Sequence, residues 1–248
     1  MIYIKSKLEI ELMRKANILV RDTLNMLLDN TAEGMTTYQL DKLAYEYIIS
    51  KGGVPSFLHF QGFPASICVS INDEVVHGIP SKKRRLQEGD IVSYDCGVIL
   101  QGWQGDAART IGVGKISKEC QQLIDVTKQS FFEGMKVIKP SARLGDLGHA
   151  IQTYVEQFGY GVVRDLCGHG IGRDMHEDPN IPNFGMAGKG LRLASGMVIA
   201  VEPMVNMGTH KVMTLPDGWT VKTLDGMPSA HYENTLAITD DGVDILSL

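Results

Sequence analysis

The chain has 248 residues, 44% of them apolar and 21% charged, enough to bury a sizeable core. A formal net charge of −5 argues against general nucleic-acid binding, and no apolar run approaches the ~20 residues of a membrane span. Four cysteines (Cys68, Cys96, Cys120, Cys167) form no C-x-x-C pair, and the opening MIYIKSKLEIELMRK lacks an apolar signal core. Reduced thiols in the cytoplasm are the simplest expectation.

Ser6-x-x-Glu9 is a capping box, and Leu8, Leu12, Ala16, Val20 and Leu24 then recur at four-residue spacing as the expected buried stripe of a helix. Glu33-Gly34 marks a break. Thr36-x-x-Gln39 opens a second helix, with Leu40, Leu43, Ala44 and Tyr47 inward and Gly52-Gly53 at its end. The segment VPSFLHFQGFP (Val54–Pro64) fits neither a helical nor a two-residue period. It reads either as a loop tucked over the core or as an aromatic pocket wall built from Phe57, Phe60 and Phe63. The strand ICVSI follows, then EVVHGIP with His77, a position where a histidine is more often structural. Lys82–Arg85 is a basic run after Pro80, read as a solvated turn, with an RNA-facing patch, and so a contact with the ribosome, as the alternative.

Residues 91–106, IVSYDCGVILQGWQGD, read as a β-hairpin turning at Gln101-Gly102. A two-residue loop sets Leu100 opposite Trp103 and Asp95 opposite Ala108. Asp106 is then a diagonal neighbour of Asp95 on one face, roughly 7–8 Å away between Cα atoms. Two acids on one buried face suit one metal ion, or two about 3.5–4 Å apart. A pair of aspartates at a surface edge is the plain alternative.

A long helix is expected from about Ser117 to Ile138, with Leu123, Val126, Phe131 and Met135 inward and Lys139-Pro140 stopping it. Another spans about Leu144 to Phe158. Helix, helix, strands therefore occurs twice, which implies an α+β fold of two similar halves joined near residue 115, within one domain covering residues 1–248. The second half repeats the oddity of the first. CGHGIGRDMHEDP carries His169 and His176 among glycines, MVIAVEPMV places Glu202 in a strand, and SAHYENTLAIT places Glu233 in another. Four buried acids with only Arg109 and Arg173 nearby are hard to neutralise without a cation. A donor set of carboxylates plus imidazole points to Mn, Fe, Co or Zn, and away from a cysteine-rich structural zinc.

The ordered set Asp95, Asp106, His169, Glu202 and Glu233, in the settings SYDCG, QGD, GHGIG, VEPMV and YENT, resembles the type I methionine aminopeptidases. INDEVVHGIP and DGWTVKT narrow the likeness, which runs along essentially the whole chain and is to the short bacterial-type form. The resemblance implies the pita-bread fold, with an antiparallel sheet core covered by helices in two pseudo-symmetric halves. It implies two divalent metal ions (Co, Mn, Fe or Zn), with Asp95 chelating one, Asp106 and Glu233 bridging, and His169 and Glu202 completing the second site. His77 and His176 become non-ligand catalytic histidines. Phe57, Phe60, Phe63, Cys68, Met175 and Trp219 become the methionine pocket.

The implied activity is removal of the initiator methionine from nascent polypeptide N-termini, preferably before a small residue. Metal-bridging hydroxide would attack the methionine carbonyl, with Glu202 as general base and His176 stabilising the tetrahedral intermediate. The expected assembly is a monomer with no DNA or membrane partner. Three positions depart from the commonest family pattern: Phe63 for tyrosine, Asn234 for histidine, and Cys96 beside Asp95. A proline-peptide enzyme of the same fold and a non-catalytic peptide-binding module are the rival readings.

Overall fold

The computed structural model describes residues 1–139 and 141–248. Helix α1 (Lys7–Asn30) starts at the Ser6 capping box: the Ser6 hydroxyl accepts from the Glu9 N–H, and the Glu9 carboxylate accepts from the Ser6 N–H. Thr36 and Gln39 do the same for α2 (Thr37–Ser50). The buried face of α1 is Met13, Ala16, Val20, Leu24 and Leu27, but Leu8 is 72% exposed. A strict four-residue spacing drifts around a helix of 3.6 residues per turn, so Leu8 ends on the far side from Leu24. The real stripe mixes steps of three and four.

The strands of the first half are β1 (Val54–Pro55), β2 (Cys68–Ile71), β3 (Glu74–Val76), β4 (Ile91–Leu100) and β5 (Trp103–Gly112). Helices α3 (Lys118–Val137) and α4 (Leu144–Glu156) follow. Ser117 caps α3, and Leu123, Val126, Phe131 and Met135 face inward as expected. Pro140, expected to stop α3, lies outside the described residues. Helix α4 ends two residues before the expected Phe158, and Gly159 then turns the chain at φ 76°.

The second half carries β6 (Gly161–Val162), β7 (Gly168–Gly170), β8 (Glu177–Ile181), β9 (Val198–Val201) and β10 (Met204–Asn206). It ends with β11 (Val212–Thr214), β12 (Val221–Thr223), β13 (Ser229–His231), β14 (Glu233–Thr239) and β15 (Gly242–Ile245). Among the described residues, nine strands form one antiparallel sheet in the order β1-β4-β5-β14-β9-β7-β8, with β2 also on β4 and β15 also on β14.

Helices α1 and α2 bury Leu24, Leu40 and Ile48 against Ile67, Tyr94 and Val98. Phe131 of α3 and Ile151 of α4 pack against Ile199 and Leu236 at the other end of the sheet. Each half thus consists of a helix pair over its own part of one sheet. Fully burying one such Leu, Ile or Phe contributes roughly 1.5–3 kcal/mol. The opposite face is left free for polar groups. No helix of the described residues is long and apolar enough to cross a membrane. In the basic run, Lys82 lies over the Tyr38 ring and Arg85 donates to the Gly34 carbonyl, so both pack on the α1–α2 end of the molecule.

Candidate active site

The hairpin β4–β5 sets up the site. Its register pairs Leu100 with Trp103, Asp95 with Ala108 and Gly97 with Asp106, so Asp95 and Asp106 are diagonal neighbours on one face. The alternation of a strand sends Cys96 the other way, into the core under α1 and α2. Gly97 is required by what lies above it. A Cβ there would stand 2.7 Å from both Met175 Cε and Phe57 Cε1.

Strand β14 brings Glu233 to the same place, since Glu233 pairs with Ala108, the residue opposite Asp95. Glu202 comes from the end of β9. It sits in the break between Val201 and Met204, one residue past the strand and not inside it, because Pro203 has no N–H for the ladder. The Glu202 carbonyl accepts from Asn183 Nδ2 at 3.0 Å. His169 stands in the middle of β7, where a Cβ on Gly168 would strike the Ala200 carbonyl and one on Gly170 the Asp178 carbonyl. The flanking glycines let its backbone fit closely between β9 and β8.

One ligand atom each from Asp106, His169 and Glu233 lie within 4.8 Å of one another. His169 Nε2 is 3.7 Å from Asp106 Oδ2 and 3.8 Å from Glu202 Oε1, while His169 Nδ1 bonds the Gly170 carbonyl at 2.9 Å. That bond assigns the proton to Nδ1 and turns the Nε2 lone pair toward the acids, the tautomer a metal ligand needs.

The charge balance is one-sided. Burial raises Asp95 from the usual carboxylate value to about 7. Asp106, Glu202 and Glu233 are pushed well up by burial, with the neighbouring carboxylates adding to it. Burial drives His169 down to about 4, so it is neutral near pH 7 and offers the acids no positive charge. Arg109 does not pair with them either. Its guanidinium donates to the Glu233 and Ala108 carbonyls and to Asn234 Oδ1 at 2.5, 2.8 and 2.7 Å. Among the described residues, Asp95 Oδ1 and Asp106 Oδ1 are buried without a hydrogen-bond partner. Orphaned carboxylate oxygens beside an available imidazole fit a divalent cation and little else.

Above the acids is a cavity of about 180 Å³. Asp95, Asp106, His169, Glu202 and Glu233 line its floor, and Phe57, Phe60, Phe63, Cys68 and Trp219 its wall. Phe63 and Trp219 meet edge to face with centroids 5.1 Å apart. Met175 lies behind this wall, buried with Phe57 and Phe60. His77 and His176 border the cavity. The His176 ring is 4.3 Å from His169 and 5.3 Å from Phe60. Burial lowers the pKa of both, so each is poised near neutral form at pH 7. His77 is held at φ 60°, a strained conformation for a non-glycine residue of the kind found at binding sites.

Other residues at the site escaped the sequence reading. Gln61 joins the cavity wall from the turn Phe60–Gly62. His231 is fully buried, with Nε2 3.9 Å from Glu202 Oε2 and neither ring nitrogen bonded among the described residues. Asn17 of α1 and Thr235 of β14 both accept from the Asp106 N–H, and the Thr235 hydroxyl returns a bond to the Asp106 carbonyl. Polar residues at core positions of a helix and a strand were the available signal. Asn234 accepts from Arg109 and from the Ser247 hydroxyl, so this departure joins a network tying β14 to β5 and the C-terminal segment.

Residues 11–240 match the model of metallopeptidase family M24. The methionine aminopeptidase of Clostridium acetobutylicum is 57% identical over 248 residues, covering 100% of this chain and 99% of the relative. Methionine aminopeptidase 1 of Bacillus subtilis is 48% identical, again over 100% and 99%. The crystal structure of methionine aminopeptidase from Rickettsia prowazekii superposes with a TM-score of 0.98 at 44% identity, covering 100% of both chains. Prolidase from Pyrococcus furiosus shares the fold alone, with a TM-score of 0.78 at 22% identity and only 65% of its chain covered.

Proposed function

The chain belongs to metallopeptidase family M24, among its methionine aminopeptidases, and from that premise we propose how its residues divide the work. The observation that carries the proposal is two buried and two part-buried carboxylates and a neutral imidazole beneath an aromatic cavity, with no lysine or arginine ion-paired to them among the described residues. Asp95, Asp106, His169, Glu202 and Glu233 would hold two divalent ions of the Mn, Fe, Co or Zn class. When bound, these would supply Lewis acidity toward the scissile carbonyl and lower the pKa of water.

The remaining chemistry belongs to the side chains. Phe57, Phe60, Phe63, Cys68 and Trp219 take up the methionine side chain, and each S–aromatic contact contributes about 0.3–1.5 kcal/mol. Met175 packs behind this wall with Phe57 and Phe60, and a cavity of about 180 Å³ suits a single side chain, so the pocket would take one residue before the scissile bond, as N-terminal cleavage requires. Glu202, made more basic by its burial beside Glu233 and Asp95 and ionised once bound cations neutralise the cluster, would accept the proton of the attacking water and pass it on to the leaving amine. His176, beside His169 at the rim, donates to the developing oxyanion, and one such donor is typically worth roughly 10²–10³ in rate. His77, edge-on to Trp219 at 6.4 Å, orients the peptide as it leaves the pocket. A small second residue is the expected preference, since its side chain must lie beside both His77 and His176, where this cavity meets the larger groove.

Measuring release of the N-terminal residue from Met-Ala-Ser, Met-Leu-Ser and Ala-Pro peptides tests this assignment. Fast cleavage of the first, slow cleavage of the second and none of the third is the expected pattern. Preferential hydrolysis of Ala-Pro would move the chain to the proline-peptide enzymes, and no hydrolysis at all to a binding module.

A further inference from the structure

Lys5 is a lysine where none is expected to be hidden. Its side chain is 5% exposed, and its Nζ donates to Glu177 Oε2 at 2.6 Å; the Glu177 side chain is itself 6% exposed. Burying such a pair costs both ions their hydration, and an apolar pair of similar volume is often as stable. Fold stability alone therefore gives no reason for this choice of residues.

Position gives one. Glu177 follows His176 directly, and its other oxygen, Oε1, accepts from the backbone N–H groups of Arg173 and Asp174 at 3.0 and 3.4 Å. One carboxylate thus gathers both ends of the turn that presents His176. Gly172 lies against the clamp, where a Cβ would come within 2.7 Å of Lys5 Cε. The Gly172 carbonyl accepts from the Gln104 N–H of β5 at 2.9 Å, which links the turn to the hairpin carrying Asp106. Lys5 is fixed in turn by its own N–H, which donates to the Gly196 carbonyl at 2.7 Å. Arg173, Asp174 and His176 are exposed, and besides Met175 the turn touches aromatic rings through Arg173 over Trp103 at 4.2 Å and His176 against Phe60 at 5.3 Å, contacts of long or mobile side chains that do not fix the backbone.

We propose that Lys5 is a positioning residue: through its buried ion pair with Glu177 it holds the turn Gly172–His176 so that the His176 ring stands beside His169 at the reaction site. This rests on the reading of His176 as the oxyanion donor. The segment before α1 thereby acts on catalysis from outside the cavity.

The test is a kinetic cycle on metal-loaded protein with a Met-Ala peptide, using Lys5→Met, His176→Ala and the double variant, with bound metal assayed in each. Hydrogen exchange at the Arg173 and Asp174 amides is followed in parallel in the metal-free chain. Lys5→Met is expected to lower kcat about tenfold, a part of what one oxyanion donor supplies, with KM within about twofold and metal content unchanged. In the His176→Ala background the same substitution should change kcat by less than about twofold, because its target is gone. Exchange at the two amides should accelerate. Asp244→Asn, which breaks the ion pair of Arg14 on α1 itself, should leave kcat unchanged.

Equal losses of kcat in both backgrounds, unaltered exchange, or metal loss in Lys5→Met would overturn the proposal. A wild-type kcat in His176→Ala would instead refute the donor role of His176, a result separate from the clamp, which the exchange reports on its own. If Lys5→Met fails to fold, Glu177→Gln carries the same cycle, since it removes the charge and keeps an acceptor for the two N–H groups.

Discussion

Stripped of divalent metal, the protein should lose stability as pH rises from 6.5 to 8. In the unfolded chain Asp95 titrates near 3.8 and is ionised throughout this window, whereas burial raises it to about 7 in the fold. The native state therefore holds more protons than the unfolded state, and stability falls as pH rises through the folded pKa. The histidines act in the opposite sense. Burial lowers His169 from 6.5 to about 4 and His231 to about 3, and lowers His77 and His176 as well. Their contribution grows as the unfolded imidazoles lose their protons, a loss half complete at about 6.5 and nearly complete only near about pH 8.

Between 6.5 and 8 each of these histidines returns about 0.4 kcal/mol, while every carboxyl that is still protonated loses about 1.4 kcal/mol per pH unit. The four carboxylates together therefore outweigh the histidines, although Asp95 alone does not. At about 1.4 kcal/mol per proton per pH unit, Asp95 alone gives a loss of about 1 kcal/mol. Asp106, Glu202 and Glu233, all raised by burial and by one another, add in the same direction. A loss of 1 kcal/mol lowers Tm by roughly 2–4 °C in a chain of this size, so the full effect should exceed that. The assay is thermal unfolding of chelator-treated protein across the pH series, repeated with Mn²⁺ and with Asp95→Asn. Metal at about 100 times its Kd should restore about 2.7 kcal/mol at pH 8, and Asp95→Asn should shrink the slope. A Tm that is flat or rises with pH in the metal-free protein would refute the charge balance described above.

Four substitutions probe the site directly. Asp106→Asn should nearly abolish methionine release at saturating Mn or Co, since an amide offers a bridging position no charge; near-normal turnover would end the argument from the hairpin. Trp219→Ala, which removes the ring packed against Phe63, should raise KM for Met-Ala peptides roughly 10–100-fold with little change in Tm, and unchanged kinetics would return this wall to the core. His169→Ala should lose metal and activity together, whereas His176→Ala should keep its metal and lose kcat by roughly 10²–10³. Metal loss in His176→Ala matching that in His169→Ala would contradict the roles given to the two histidines.

The parts of the site visible in the sequence were those governed by local rules. Gln101-Gly102 fixes a two-residue loop, and that loop sets Asp95 and Asp106 on one face before any tertiary contact is known. The capping boxes likewise located both early helices. Other features depend on the fold. Glu202 lies past its strand because Pro203 interrupts the ladder, and Leu8 is exposed because an even four-residue spacing drifts around a helix. His231 looked like an ordinary strand residue, since nothing in SAHYENT marks its approach to Glu202. Lys5 looked like one of several surface lysines in a charged opening, and its burial is created by residues 172–177, far along the chain. The aromatic segment had no period to read because it is a turn, with His59 and Gln61 both at positive φ.

The central claim, that these five ligands make a metal-dependent enzyme specific for N-terminal methionine, is tested most directly by metal titration of chelator-stripped protein while methionine release from a Met-Ala peptide is followed. The account predicts no release without metal, then a rise that saturates as the site fills, with no rise in Asp106→Asn. Release at the full rate by stripped protein, or saturation with metal that leaves the peptide intact, would contradict it.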